Sequence, residues 1–190
     1  MNELATGLKL NLGCGNRKMP GYVNVDKFGE PDLRHDLESF PWPWANNSVS
    51  EVVLIHVLEH LGAHAEVFIG VIQEIYRVCI PGAMVRIEVP HPRHDNFLHD
   101  PTHVRVVTGP TMEMFSKRIC RDWIAKGYGN TPLALYHDVD FEIEKEELIL
   151  DPRYLVQANA GKLSRAELET MIFERNNIAH EIQLTLRVVK

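Results

Sequence analysis

Apolar residues follow two different periods along this chain of 190 residues. Short apolar runs, which are typical of strands, stand at 8–12, 22–26, 49–56, 84–89, 139–150 and 182–188. Between 64 and 79 the apolar positions recur every three to four residues, which predicts an amphipathic helix. A chain that carries both periods predicts an α/β fold.

The first half of the predicted sheet has little room for helices. Pro20 and Gly21 stop any helix after the first strand, because proline lacks the amide hydrogen that a helix interior needs. After the second strand only residues 27–35 precede Asp36, whereas a parallel crossover normally needs about a dozen residues or more. We therefore expect short or missing first helices and a third strand that is reduced or absent.

Helix-start signals recur in the second half of the chain. Thr108 stands where it can cap a helix that ends at Gly127. Ser164 and Glu167 have the spacing of a capping box. This second helix lies in an insertion, residues 151–177, between the last two predicted strands.

Composition indicates one globular domain over residues 1–190. The chain is 45% hydrophobic and 24% charged, and it has no apolar run near the roughly 20 residues that cross a bilayer. The N-terminal stretch, Met1 to Ala5, lacks the basic and apolar regions of a signal peptide, so we expect no membrane association and a cytoplasmic location. The net charge of −6 disfavours nucleic acid as a partner, since its phosphates would be repelled.

The strongest chemical signal lies where the first strand ends, at Leu12-Gly13-Cys14-Gly15-Asn16. Two glycines let the backbone approach a ligand at a distance that a Cβ atom would prevent. Asp26 closes the next strand, where a carboxylate can accept hydrogen bonds from two ribose hydroxyls. This combination predicts a site for a cofactor that contains adenosine.

Features that are missing from this motif narrow the choice of cofactor. A dinucleotide site needs a third glycine and a long helix whose N-terminal amides face the pyrophosphate. Lys18 stands at the third glycine position, Asp26 comes earlier than the roughly twenty residues expected, and no Gly-Lys-Ser/Thr follows the turn. The site therefore favours adenosine without phosphates, which points to S-adenosylmethionine (SAM). The alternative is that Gly13 and Gly15 only form a tight turn.

Four motifs then identify a family resemblance: Leu10-Asn11-Leu12-Gly13-Cys14-Gly15, Asn24-Val25-Asp26, Val57-Leu58-Glu59-His60-Leu61 and Arg77-Val78-Cys79-Ile80-Pro81-Gly82-Ala83. In this order and spacing the chain resembles class I SAM-dependent methyltransferases, in particular their compact type 11 branch. The resemblance covers about residues 8–90 and implies a Rossmann-like sheet, mostly parallel, with an antiparallel last strand. The chain departs from the family pattern at Ser50, Ile80 and Ala83, where many relatives have aspartate, lysine and glycine.

The resemblance also implies roles for single residues. The turn from Leu12 to Asn16 would hold the methionyl part of SAM, and Asp26 would hold its ribose. Asp36 and Leu37 would lie near the adenine. His56 follows the fourth predicted strand, and open α/β sheets bind their ligands at that edge, so we expect it to line the cofactor site.

Two residue pairs have a less specific meaning. Trp42 and Trp44 either stack on the adenine or cover the truncated edge of the sheet. Glu59 and His60 are not followed by a second histidine at helical spacing, so the zinc-protease motif is absent. For these two residues we expect a capping or core-edge role, and no residue is assigned to a metal.

Residues 91–105 are the most unusual stretch, because four histidines and two aspartates directly follow the fifth predicted strand. In class I methyltransferases this region commonly presents the acceptor and any general base. The first interpretation therefore assigns catalytic roles to His94, Asp100 and His103, with a histidine taking the acceptor's proton. The second is a metal site, although no helix fixes the ligand spacing. The third is a turn at Asp100-Pro101 with histidines bonded to the backbone.

The sequence thus predicts an enzyme that transfers a methyl group from SAM to an oxygen or nitrogen nucleophile of a small-molecule or glycan acceptor. Residues 8–90 would bind the cofactor, 91–130 would present the acceptor, and 138–190 would form the last strand pair with its insertion. That insertion either covers the active site or is a surface excursion. Two alternatives stay open: a non-catalytic SAM-binding or partner-binding module, whose bare sheet edge would allow a homodimer, and a metal-dependent hydrolase.

Overall fold

The computed structural model describes residues 7–190 and contains a seven-stranded sheet. The N-terminal stretch from which the absence of a signal peptide was predicted, Met1 to Ala5, lies outside the described residues. The strands are β1 (Leu8–Leu12), β2 (Val23–Asp26), β3 (Leu33–Arg34), β4 (Val49–Ile55), β5 (Cys79–Pro90), β6 (Phe141–Leu150) and β7 (Ala179–Val188). Their order is β3-β2-β1-β4-β5-β7-β6, and β7 runs antiparallel to both of its neighbours. The mostly parallel α/β sheet with an antiparallel last strand is therefore confirmed.

The helices are α1 (Ala65–Val78), α2 (Asp95–Leu98), α3 (Gly109–Glu113), α4 (Lys117–Ala125), α5 (Leu133–Tyr136), α6 (Pro152–Asn159) and α7 (Arg165–Glu174). A 3₁₀ turn, Leu58–His60, follows β4. The amphipathic helix predicted at 64–79 is α1, and Ser164 and Glu167 form the predicted capping box of α7. No helix of the segment 7–190 has the length and apolar content that spanning a membrane requires.

The single helix predicted between Thr108 and Gly127 is wrong, because the structure has two helices there. Thr108 caps α3 as expected, but the chain breaks at Ser116, whose hydroxyl accepts a hydrogen bond from the amide of Ile119. Asp140 also accepts from the amide of Lys117 at 2.9 Å. These two side chains accept hydrogen bonds from amides in the first turn of a new helix, and α4 therefore begins at Lys117 as a separate helix.

The connections on the β2 side are reduced as predicted. β3 has two residues and pairs in parallel with β2, and residues 13–48 contain no helix. Asn24, only 5% exposed, holds these connections instead. Its Oδ1 accepts from the amide of Met19 at 2.7 Å and from Asn11 Nδ2 at 2.8 Å, while its Nδ2 donates to Asp32 at 2.6 Å. One side chain therefore fixes both the loop after β1 and the loop after β2.

The core lies between α1 and one face of the sheet. The buried face of α1 is Phe68, Val71, Ile72, Ile75 and Val78, and the matching face of β7 is Ile182, Leu184, Leu186 and Val188. The opposite sheet face is polar, with Glu51 between Lys9 (3.1 Å) and Arg86 (3.2 Å). The apolar run predicted at 182–188 is the part of β7 that supplies this buried face.

Trp42 and Trp44 belong to the core. Both are buried, and their rings meet edge to face with centroids 5.8 Å apart. The Trp42 indole donates to the carbonyl of Leu37 at 3.1 Å, and its backbone amide donates to Glu74 of α1 at 2.6 Å. Their packing matches the interpretation in which the two tryptophans cover the sheet rather than stack on a ligand.

Candidate functional site

A cleft opens at the carboxyl ends of β1 and β4, where the order of the strands reverses. β1 has β2 on one side and β4 on the other, so the connections after β1 and β4 diverge and leave a crevice between them. We call it the switch cleft; its volume is about 180 Å³ and its walls are Gly13, Asp26, Lys27, Phe28, His35, Asp36, Leu37, His56, Val57, His60 and Leu61. Open α/β sheets bind ligands at this position because both connections can contribute contacts.

The structure brings together part of the predicted cofactor set. The predicted residues that line the switch cleft are Gly13, Asp26, Asp36, Leu37 and His56. The others stand beside it: Leu12 and Cys14 are buried, and Gly15 and Asn16 are exposed on the turn. The turn thus reaches the cleft through Gly13.

Asp26 is held in place by the backbone and keeps capacity for a ligand. Its two carboxylate oxygens accept from the amides of Gly15 and Phe28, each at 2.8 Å. A carboxylate oxygen has two lone pairs, so within the described chain each still has one to offer. The amide of Gly15 therefore links the glycine turn directly to the acid of β2.

Phe28 and His35 are cleft residues that the sequence analysis did not identify. Phe28 is 70% exposed, and its ring forms part of the wall. His35 Nε2 is buried without a hydrogen-bond partner among residues 7–190. An aromatic residue two positions after Asp26 was the available signal for Phe28, whereas nothing in the sequence distinguished His35.

The charges of the switch cleft do not suit a polyphosphate. Asp26 and Asp36 supply two carboxylates, and Lys27, with Nζ 3.8 Å from Asp36 Oδ2, is the one lysine or arginine among the lining residues. An anionic ligand would be repelled, whereas hydroxyl groups and ammonium groups would be attracted.

His56 connects the switch cleft to a second pocket. Its backbone has φ of +54°, a left-handed conformation that is uncommon for a residue with a side chain. Its Nε2 lies 3.1 Å from Glu181 Oε2, and its Nδ1 lies 3.6 Å from Glu59 Oε1. Glu59 raises the pKa of His56 above its ordinary value, with help from Glu181 and against the effect of partial burial.

The second pocket, which we call the histidine pocket, has a volume of about 390 Å³. Its walls are His56, Glu59, His60, Pro90, Asn96, Asp100, His103, His180 and Glu181. It shares His56 and His60 with the switch cleft, so the two adjoin. The sequence analysis missed His180 and Glu181; they begin β7, and the first residues of an antiparallel strand lie at the edge where parallel strands end.

The structure separates the three residues predicted to be catalytic. Asp100 and His103 line the histidine pocket. Hydrogen bonds from Thr102 lower the pKa of Asp100. His94 is 6% exposed, accepts from the amide of Asn96 at 3.0 Å, and lies with Nε2 3.2 Å from Asp151 Oδ2. It does not line either pocket.

Comparison with known proteins identifies the fold. No family model matches the chain, and no curated protein matches it. A SAM-dependent methyltransferase from Archaeoglobus fulgidus is similar over 95% of this chain and 86% of its own, with a TM-score of 0.59 and 16% identity. A 1,6-didemethyltoxoflavin N1-methyltransferase from Burkholderia thailandensis, solved with S-adenosylhomocysteine, is similar over 96% of this chain and 71% of its own, with a TM-score of 0.53 and 11% identity. The [4+2]-cyclase SpnF is similar over 96% of this chain and 75% of its own, with a TM-score of 0.51 and 14% identity.

These similarities establish that the chain has the Rossmann-like fold found in SAM-dependent methyltransferases. At such low identity they establish the fold alone. The cyclase among them is named for a different reaction, so the reaction must be argued from the site.

Proposed function

We propose that this protein is an enzyme that transfers a methyl group from SAM to an oxygen or nitrogen nucleophile of a small-molecule or glycan acceptor. The observation that carries the proposal is the Asp26 carboxylate, fixed by the glycine turn and still able to accept hydrogen bonds inside the switch cleft. The adjoining histidine pocket supplies a place for the acceptor.

The residues of the switch cleft suit the parts of SAM. Asp26 would accept from the ribose hydroxyls, and Leu37 and Phe28 would enclose the adenine between apolar surfaces. His35 Nε2, which has no partner among the described residues, would gain one from the base. The turn at Gly13 would hold the methionyl part, and the carboxylate-rich walls suit its ammonium and sulfonium charges. When bound, SAM supplies an electrophilic methyl group.

The remaining task of the protein is to place a nucleophile and accept its proton. Alignment of two reactants in a water-excluding site contributes on the order of 7 to 11 kcal/mol. His56 and His103 present imidazoles to the histidine pocket, and an imidazole is suited to accept a proton near neutral pH. Asp100, whose Oδ2 lies 3.8 Å from His103 Nε2, would contact the acceptor beside that imidazole. His94 would act indirectly, as a positioning residue, by holding that loop against Asp151.

Calorimetry with SAM and with S-adenosylhomocysteine tests the cofactor assignment. Asp26→Ala should weaken binding by roughly 30- to 150-fold, because hydrogen bonds to a charged group contribute about 2 to 3 kcal/mol. Glu30→Ala, which removes an exposed carboxylate on the same connection, is the matched control and should bind like the wild type. Absence of heat with either compound, or equal affinities of the two variants, would refute the assignment.

Formation of S-adenosylhomocysteine with a panel of sugars, amines, phenols and carboxylic acids tests the reaction. Turnover with one class of acceptor supports methyl transfer and names that class. Tight SAM binding without turnover across the panel would instead favour the non-catalytic binding module.

A further inference from the structure

Three side chains in the wall of the histidine pocket, Glu59, His60 and His103, bring together atoms that can bind a metal ion. Glu59 Oε1 lies 3.9 Å from His60 Nε2 and 4.0 Å from His103 Nε2. Each of the three residues has one nitrogen or oxygen atom within 4.8 Å of the corresponding atoms of the other two. The 3₁₀ turn after β4 supplies Glu59 and His60, and the loop after β5 supplies His103.

Glu59 is the least expected member of this cluster. The residue is 1% exposed, and neither carboxylate oxygen accepts a hydrogen bond from any described residue. A buried carboxylate is costly unless it is paired or coordinates a metal, and buried polar groups nearly always have partners. The position of Glu59 therefore favours a cation beside Oε1, the oxygen that the histidine nitrogens approach.

The hydrogen bonds of the two histidines fix which nitrogen can act as a ligand. His103 Nδ1 lies 2.8 Å from the carbonyl of Phe97, which can only accept, so Nδ1 carries the hydrogen. The Thr102 hydroxyl donates to Asp100 at 2.6 Å and must accept from His60 Nδ1, 2.9 Å away. In neutral histidines both Nε2 atoms then present lone pairs to the Glu59 carboxylate. Such outer hydrogen bonds are the usual support of metal-binding histidines.

We propose that Glu59, His60 and His103 bind a divalent transition-metal ion, with Zn²⁺ as the reference ion. Two imidazoles and one carboxylate form a known catalytic zinc ligand set, and the same set suits Fe²⁺. Tetrahedral ligands at about 2.0 to 2.1 Å from zinc stand roughly 3.3 to 3.5 Å apart. The observed separations of Glu59 Oε1 from the two Nε2 atoms, 3.9 and 4.0 Å, need a small contraction, and the ligand nitrogens of the two histidines, which lie within 4.8 Å of each other, must also approach. The fourth position would face the histidine pocket, and with His103 Nε2 on the ion, His56 would be the imidazole left to take the acceptor's proton.

The alternative to a metal ion is a proton shared between the Glu59 carboxylate and one of the imidazoles. A charge-assisted hydrogen bond would draw nitrogen and oxygen to about 2.7 to 2.9 Å. The separations of Glu59 Oε1 from His56, His60 and His103 are 3.6, 3.9 and 4.0 Å, which leaves the space that an ion would occupy. The geometry thus favours a metal ion over a proton.

Titration of the full-length protein with Zn²⁺, without SAM, tests this site directly. Glu59→Gln keeps the shape of the side chain and should weaken binding by more than about 100-fold, since outer partners alone contribute roughly 10- to 100-fold. Thr102→Val, which removes the hydroxyl that orients His60, should weaken it by about 10- to 100-fold. His99→Ala removes an exposed histidine of the same loop and should leave the affinity unchanged.

Co²⁺ in place of Zn²⁺ adds a spectroscopic measurement. The wild type should show ligand-field absorption in the visible range, and Glu59→Gln should lose it while keeping the wild-type circular dichroism spectrum. Absence of Zn²⁺ binding by the wild type, or equal binding by the wild type and Glu59→Gln, would overturn the proposal. SAM calorimetry on the same samples separates the two proposals: metal binding without SAM binding refutes only the proposed function, and SAM binding without metal binding refutes only the metal site.

Discussion

Gly13 shows at the scale of one residue why the glycine turn has its sequence. Its φ is +65°, and a Cβ atom added there would lie 2.4 Å from Cγ2 and 2.7 Å from Cγ1 of Val57. Gly15 also has a positive φ, +48°, but apart from its own and the two adjacent residues no described atom lies within 4 Å of the position of its Cβ. Ligand approach was the predicted reason for both glycines. The structure adds a second reason at Gly13, which is the packing of Val57 at the end of β4.

This difference predicts unequal effects of two alanine substitutions. Gly13→Ala should lower the free energy of unfolding by about 2 to 4 kcal/mol, because the strain of a left-handed alanine adds to overpacking against Val57. Gly15→Ala should cost about 1 to 2 kcal/mol, from strain alone. Urea denaturation of both variants measures the difference. Equal losses would show that Val57 moves aside without cost.

Single positions were predictable where the topology alone determines their neighbours. Asp26 ends β2 and His56 directly follows β4, so the carboxyl edge of the sheet brings them to one cleft. Topology alone could not predict that His103 lies beside Glu59. His103 reaches it because Val104 and Arg105 donate their amides to the Glu59 carbonyl at 3.0 and 3.1 Å, a contact between two loops that no periodicity encodes.

At the scale of elements, the connections that follow β1 and β2 contain no helix and are held by hydrogen bonds instead. Asn24 sits in the middle of β2 and bonds Met19 before the strand and Asp32 after it. It also accepts from Asn11 of the neighbouring strand β1. Short connections can be stable without helices because this one buried amide satisfies the polar groups that they expose.

Asn24→Ala should therefore destabilise the protein by about 2 to 4 kcal/mol, because several buried polar groups lose their partners together. Asn130→Ala, at an exposed position, is the control and should stay within about 0.5 kcal/mol of the wild type. Hydrogen exchange of the Met19 amide reports the local effect. A variant that unfolds at the wild-type urea midpoint would contradict the proposed role of Asn24.

Elements were predictable in proportion to their apolar periodicity. The apolar positions of β7 and of α1 recur regularly in the sequence, and the structure has both elements with those positions buried. The break between α3 and α4 depends instead on Asp140, which lies well beyond both helices in sequence. The short helix α2 has His94 as its N-cap, where the ring accepts a hydrogen bond from the amide of Asn96, and histidine is not a usual capping residue.

At the scale of the whole molecule, both ends of the insertion between β6 and β7 hold the loop of the histidine pocket. Asp151, at the first end, contacts His94 at 3.2 Å. Asn177, at the other end, accepts from the amide of Asp95 at 2.8 Å and donates its own amide to the carbonyl of Arg93 at 2.9 Å. The insertion therefore fixes the start of the loop that carries Asp100 and His103.

The charge of Asp151 makes this attachment sensitive to pH. Hydrogen bonds from the Arg153 side chain and amide, with a further one from His94, hold the pKa of Asp151 far below its ordinary value and outweigh the opposing effect of burial. A carboxyl group whose pKa is lower in the folded state stabilises the fold above the pKa of the unfolded chain, about 3.9, and loses this contribution as the pH falls below it.

Asp151→Asn should therefore lower the free energy of unfolding by about 1 to 3 kcal/mol at pH 7, and the difference from the wild type should shrink as the pH falls below about 4. Asp122→Asn, on the exposed face of α4, should change stability by less than about 0.5 kcal/mol at either pH. Urea denaturation between pH 7 and pH 2.5 measures both, since the contribution is lost progressively from about pH 3.9 towards the lower pKa of the folded state. A difference between wild type and Asp151→Asn that stays constant over this range would mean that Asp151 acts through its shape and hydrogen bonds, and not through its charge.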